Sequence, residues 1–238
     1  MEEPLLRAIG LTDCRQSLFE RLIRQEQQAG RTQFIGTLNH QGRMHPEVAQ
    51  FACSHFYLQE QLQPVPLPHQ QESGPLYQLS PVDALDCRLL NERTLFIPST
   101  IETEAALAAQ IVERIHRFTS DTFSTSQTIG IIVTYRSQIA PIRAAISQLN
   151  TEGLDGISID TVERYQGSQR DVIIYATGVS HRYQMNFLTA NTFDENGHPI
   201  DRKLNVAITR ARRQLIITGE PEILKTNVLF RELISTIS

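Results

Sequence analysis

Several things are scarce in this 238-residue sequence, and each scarcity excludes something. There are three cysteines, Cys14, Cys53 and Cys87, with no C-x-x-C pairing. An odd, scattered set excludes a disulfide framework and a thiolate zinc site and points to a reducing compartment. His55, His69, His116 and His181 show no metal-ligand spacing, so no metal is expected. The N-terminus lacks a charged-then-apolar leader, and no apolar run approaches the ~18 residues that cross a bilayer. The expectation is a cytoplasmic chain that does not span a membrane. A formal net charge of −4 excludes a polybasic coat for nucleic acid, so any such contact must be local or shared with another domain. Lysine is nearly absent: of 22 Lys and Arg, only Lys203 and Lys225 are lysine. Arginine suits fixed, bidentate anion contacts, although a genomic bias accounts for the ratio equally well. Internal repeats are absent.

What is present centres on Asp201–Gly219, DRKLNVAITRARRQLIITG. At about 100° per residue, Leu204, Ala207, Ile208 and Ala211 form one apolar stripe, with Arg202, Thr209, Arg210 and Arg213 on the far side. Leu215–Thr218 then reads as a buried strand stopped by Gly219. The spacing predicts a short helix docked beside a sheet and holding guanidiniums outward, either as a solvated face or toward a phosphate.

Before this stretch, residues 13–29 read as a helix capped by Asp13 or Ser17 and ended by Gly30. Phe34–Leu38 reads as a short strand, followed by a loop and a helix from about Pro46 that buries Val48, Phe51 and Phe56. Residues 60–93 carry Pro64, Pro66, Pro68, Pro75 and Pro81 among Gln and Ser, the composition of an extended, exposed insertion. A strand at Leu95–Ile97 precedes helix Ile101–Phe118, with Ser99 and Glu102 at capping-box spacing and Ala105, Ala108, Ile111, Val112 and Ile115 inward. Strand Ile129–Val133, a helix through Ile139–Leu149, strands Ile157–Asp160 and Asp171–Ala176, a polar excursion over 178–200 with an Asn-Gly turn, and closing helices near 221–225 and 229–237 complete the pattern. Unbroken apolar strands alternating with helices predict an α/β fold: a mostly parallel sheet covered on both faces. Ligands in such sheets bind beyond the carboxyl ends of strands. That rule gathers Arg43, Arg136, Gln166 and Arg210 in one place.

Four stretches, in order, then resemble one family. LNHQGRMHPEVAQF resembles the Q-Y-R-M-H-P segment of superfamily 1 helicases, of the RNA-decay and DNA-replication type. IGIIVTYRSQ is similar to their I-G-I-I-x-P-Y-x-x-Q segment, SIDTVERYQGSQRDVIIYAT to their motif V, and RKLNVAITRARRQLIITG to their motif VI. Together they span about residues 36–219. The resemblance implies the second, C-terminal RecA-like domain of an ATP-driven helicase: three layers, one domain over 1–238, a core at about 31–59 and 94–220. No G-x-x-x-x-G-K-[ST] occurs, and no apolar strand ends in paired Asp-Glu, so this domain lacks Walker A and B of its own. The resemblance therefore implies part of a longer protein, whose N-terminal RecA-like domain binds ATP and supplies the Mg2+ ligands.

By motif position, Arg43 and Arg210 are the implied arginine fingers, stabilising charge on the transferring γ-phosphoryl. The plainer alternative for Arg43 is a salt bridge holding the helix at Pro46. Gln166 and Gly167 lie where motif V approaches the nucleotide, or in an ordinary turn. Gln169 stands where the family has Glu bonding the ribose. Thr161 is implied to bond a phosphate of single-stranded DNA or RNA, or else to cap. Tyr135 and Arg136 stack on or steer that strand, or pack and start a helix. His45, directly before Pro46, reads as structural and Met44 as core. Movement 5′-to-3′ is implied by the resemblance alone. Gly42 replaces Tyr, Thr134 replaces Pro and Gln169 replaces Glu; these departures keep open an alternative, a non-catalytic helicase-like module for protein or nucleic-acid binding. A metal nuclease finds no clustered carboxylates on adjoining strand ends.

Overall fold

The computed structural model describes residues 17–74, 76–77, 88–195 and 197–235. The chain forms two compact units, one ending at Asn39 and one beginning at His40. In the first, helix α1 (Leu18–Gln28) starts at Ser17, where a reciprocal box satisfies two end donors: Glu20 N–H to Ser17 Oγ at 3.1 Å and Ser17 N–H to Glu20 Oε2 at 2.9 Å. Asp13 and Cys14 lie outside the described residues. The strand expected at Phe34–Leu38 does not form. Thr32–Phe34 is a single 3₁₀ turn, and residues 35–38 belong to no strand.

In the second unit, β1 (His40–Gln41) pairs in parallel with β2 (Gln63–Pro64). Between them lies α2 (Pro46–His55), with Pro46 in the first turn, where its missing N–H costs nothing. The chain continues through β3 (Arg88–Asn91), β4 (Thr94–Pro98), α3 (Ile101–Thr119), β5 (Ile129–Val133), α4 (Ile139–Ser147), β6 (Ser158–Thr161) and β7 (Arg170–Ala176). Then come α5 (Met185–Leu188), the hairpin β8 (Thr192–Glu195) and β9 (His198–Asp201), α6 (Arg202–Ile208), β10 (Ala211–Gly219), α7 (Pro221–Leu224) and α8 (Val228–Ser235).

The main sheet has the order β3-β4-β10-β7-β5-β6, parallel throughout except at β3. Its central strands are buried on both faces because side chains alternate. Ile129, Ile131, Val172, Ile174 and Ile216 join Ile111, Val112 and Ile115 of α3 and Ile142 of α4. Ile132, Ile173, Tyr175, Leu215 and Ile217 join Phe51 of α2, Leu204 and Ile208 of α6 and Phe230 of α8. The fold is therefore a three-layer α/β/α sandwich, as expected.

Three local expectations are corrected. Ser99 is not the cap of α3; its N–H still pairs with the carbonyl of Gly219, so it belongs to the sheet. Thr100 caps instead, with its N–H bonded by Thr103 Oγ1 at 3.0 Å. The helix predicted through Arg213 stops at Ile208. From Ala211 the chain is strand, because β4 and β7 offer ladders on both sides and outweigh helix propensity. A register shift between Ala211 and Gln214 leaves Arg212 and Arg213 both half-exposed. Finally, the segment after residue 60 is not wholly exposed: Gln70 and Tyr77 are buried, and Glu72 pairs with Arg213.

Candidate functional site

Strand direction divides the motif residues between the two ends of the sheet. The link from β6 to β7 joins parallel strands that flank β5, so it must travel the height of the sheet. Thr161 stands at the carboxyl end of β6, and Gln166, Gly167 and Gln169 at the amino end of β7. Helix α6 leads through Thr209 and Arg210 into the amino end of β10. Arg43 joins that end, since the N–H of His45 donates to the carbonyl of Arg212 at 2.7 Å. The expectation that Arg136 would lie with Arg43, Gln166 and Arg210 is thus corrected: Arg136 and Tyr135 follow the carboxyl end of β5.

At the amino ends, Arg210 keeps 8% of its surface exposed. Its Nε donates to the carbonyl of Val206 at 3.1 Å, in the last turn of α6, and its Nη1 to that of Ser168 at 3.5 Å. Carbonyls at a helix C-terminus attract a cation. Arg43 Nη1 donates to the carbonyl of Thr209, next to Arg210, at 3.2 Å. Among the described residues neither guanidinium makes an ion pair. Burial, and then the charge of Arg43, push the Arg210 guanidinium below its ordinary pKa. Two cations converge with donors to spare and, among the described residues, no carboxylate paired to either, an arrangement that an anion relieves. Arg212 and Arg213 differ: both reach Asp171, and Arg213 also holds Glu72 at 2.8 Å, so neither is free for a phosphate. Gln166, Gly167 and Gln169 are exposed beside Arg210. Gly167 has φ +86° with open space where a Cβ would stand, so the turn itself requires glycine.

At the carboxyl ends, Thr161 is buried, and Arg136 is exposed. The Tyr135 ring stacks on Phe187 with centroids 5.0 Å apart, and its hydroxyl donates to the carbonyl of Gln184. Lys203 Nζ sits 4.1 Å from the centroid of the Phe187 ring and 3.2 Å from Glu163. Phe187 and Lys203 carried no signal in the sequence beyond an aromatic and a charge in polar surroundings.

Two further residues organise this end. Gln138, the last residue of the T-Y-R-S-Q loop, accepts from the N–H of Tyr135 and donates to Glu104 Oε2 at 2.7 Å. Glu104 Oε1 accepts from the N–H of Gly178 and the hydroxyl of Thr218, both at 3.1 Å. One buried carboxylate therefore ties the ends of β5, β7 and β10 together. Burial raises its pKa despite these bonds. The signal was legible: Glu104 falls on the inward stripe with Ala108, Ile111 and Ile115.

His45 proves structural, as expected. Its Nδ1 accepts from the N–H of Glu47 at the start of α2, and its Nε2 donates to the carbonyl of Glu72 at 2.8 Å. Met44 is core.

A family model described as an AAA domain matches residues 14–222. The chain belongs to the AAA-domain family that forms the C-terminal RecA-like part of superfamily 1 helicases. It is 31% identical over 210 residues to helicase sen1 of Schizosaccharomyces pombe, covering 83% of this chain and 11% of that protein. To regulator of nonsense transcripts 1 of Dictyostelium discoideum it is 31% identical over 231 residues, 92% of this chain and 16% of the relative. The Drosophila melanogaster homolog of that regulator is 30% identical over 233 residues, 92% and 18%. The chain spans less than a fifth of the length of these relatives. Among the described residues, no helix is long and apolar enough to cross a membrane, and no group of three His, Cys, Asp or Glu could hold a metal.

Proposed function

We propose that this domain is the arginine-supplying half of an ATP-dependent helicase or translocase that moves on single-stranded DNA or RNA, 5′-to-3′. The observation that carries the reading is the pair Arg43 and Arg210: converging, short of anionic partners among the described residues, with Arg43 half-buried and Arg210 keeping 8% of its surface exposed. Such donors fit a triphosphate presented by a second domain of the same parent chain, which would carry the phosphate loop and the Mg2+ ligands. When ATP is bound there, the group supplies the phosphoryl for transfer. Arg43 and Arg210 stabilise the charge that builds on its equatorial oxygens, a contribution of about 10³–10⁵ in rate for such arginines. Gln166 and Gly167 line the same wall, and the exposed Gln169 amide reaches a ribose hydroxyl. Tyr135 and Arg136, at the opposite end of the sheet, face the strand; Thr161 stands at the same end, 7% exposed, with its hydroxyl as the group assigned to a phosphate. Closing and opening of the cleft then acts on two separate surfaces of one rigid sheet, which suits a motor.

In the intact protein, Arg210→Ala abolishes ATP hydrolysis and spares nucleic-acid binding. Hydrolysis surviving within about tenfold of wild type would overturn the assignment, given that scale for a finger. The second reading, a non-catalytic binding module, draws on Gly42 and Gln169. A wild-type intact protein that binds single strands without any ATP turnover would select it.

A further inference from the structure

The residue that stands where the family resemblance has Tyr is Gly42, and the space beside it is taken. A Cβ built on Gly42 would meet Leu67 Cδ1 at 3.3 Å. Leu67 opens a short segment that runs along the Arg43 loop and holds it by side chains. His69 Nε2 donates to the carbonyl of Arg43 itself at 2.9 Å. Gln70, 5% exposed, donates from one Nε2 to the carbonyls of Gln41 and Met44, at 2.9 and 2.8 Å. Inside the loop, Gln41 Oε1 accepts from the N–H of Arg43 and of Met44.

The segment is anchored in turn. The carbonyl of Glu72 takes the His45 ring, and its carboxylate takes Arg213 through both Nε and Nη2 and Arg93 at 3.4 Å. Arg213 lies on β10, three residues beyond Arg210. The same strand thus fixes Arg210 directly and Arg43 through residues 67–72.

We propose that Leu67–Glu72 is a splint that sets Arg43 relative to Arg210, with His69 and Gln70 as positioning residues for the γ-phosphate contact. This rests on the reading of Arg43 as a finger. A donor that must meet a transition state gains rate only if its place is held beforehand. Loops alone do not hold an arginine to that tolerance. Here the backbone carbonyls of Gln41, Arg43 and Met44 are fastened by two side chains, His69 and Gln70, and Leu67 packs where a side chain at position 42 would begin.

Two measurements test it. On the chain itself, backbone hydrogen exchange over residues 41–45 rises in His69→Ala and Gln70→Leu and returns to wild type in His69→Gln, which keeps an N–H donor. Unchanged exchange there in both disruptive variants overturns the splint. In the intact protein, His69→Ala lowers kcat for ATP about tenfold or more with KM within about twofold, since misplacement of about 1 Å at a catalytic group costs up to 10²-fold. His69→Gln recovers most of it. Arg43→Ala separates the two failures. If Arg43→Ala retains turnover, the finger reading falls; if it is dead while His69→Ala and Gln70→Leu turn over normally, the splint falls and the finger stands.

Discussion

Glu104 shows how a single side chain can govern one end of a sheet. Three interior donors converge on it, and no other described acceptor serves the Thr218 hydroxyl or the Gly178 N–H. Glu104→Leu should cost about 3 kcal/mol or more, since each stranded buried donor costs about 1–3. Thermal denaturation of the chain should then fall by roughly 6–12 °C, at about 2–4 °C per kcal/mol for this size. The same residue predicts a pH dependence. Burial lifts the Glu104 carboxyl above its unfolded value. Its contribution is therefore complete below the ordinary carboxylate range and is lost as pH rises through the elevated value. Denaturation across a pH series should show wild type losing stability relative to Glu104→Gln as pH climbs through that window. A constant difference between the two would contradict the shift. Asp201, also raised by burial, acts with the same sign.

Helix α6 is the element on which the candidate site depends, because its length decides where Arg210 emerges. Asp201, fully buried, accepts the N–H of Leu204 at 3.0 Å and the Thr192 hydroxyl at 3.1 Å. Asp201→Ala should cost about 1–2 kcal/mol for the lost cap, while Asp201→Asn, which keeps an acceptor oxygen, should cost less; urea denaturation of both variants checks the order. The apolar stripe Leu204, Ala207, Ile208 was legible at helical spacing, and all three are buried. The end of the helix was not, since Ala211 satisfies the helical period and the strand equally. Only the ladders of β4 and β7 resolve it. The cap of α3 is hidden in the sequence for a related reason: Ser99 has the right chemistry, but its backbone is already committed to Gly219.

Over the whole molecule, one end of the sheet presents cations and the other an aromatic and basic edge, with an apolar double-layered core between them. That separation predicts a ligand response of the chain without any partner. Tripolyphosphate should stabilise it by engaging Arg43 and Arg210, by about 2.7 kcal/mol at a concentration 100 times Kd, with a corresponding rise in melting temperature, and salt should weaken the effect. Arg210→Ala should remove it, and a shift surviving in that variant would place the anion elsewhere. The layered α/β fold and most strand positions followed from the sequence, because period and apolar runs are local properties of the chain, and the structure does bring Arg43 against the residue before Arg210. Which end of the sheet each motif occupies did not follow. It depends on strand order and on the direction of the β6–β7 crossing, which are set by pairing between residues far apart. The role of residues 67–72 was hidden for the same reason: proline-rich composition reads as an exposed linker, and only the folded chain brings His69, Gln70 and Glu72 against the Arg43 loop.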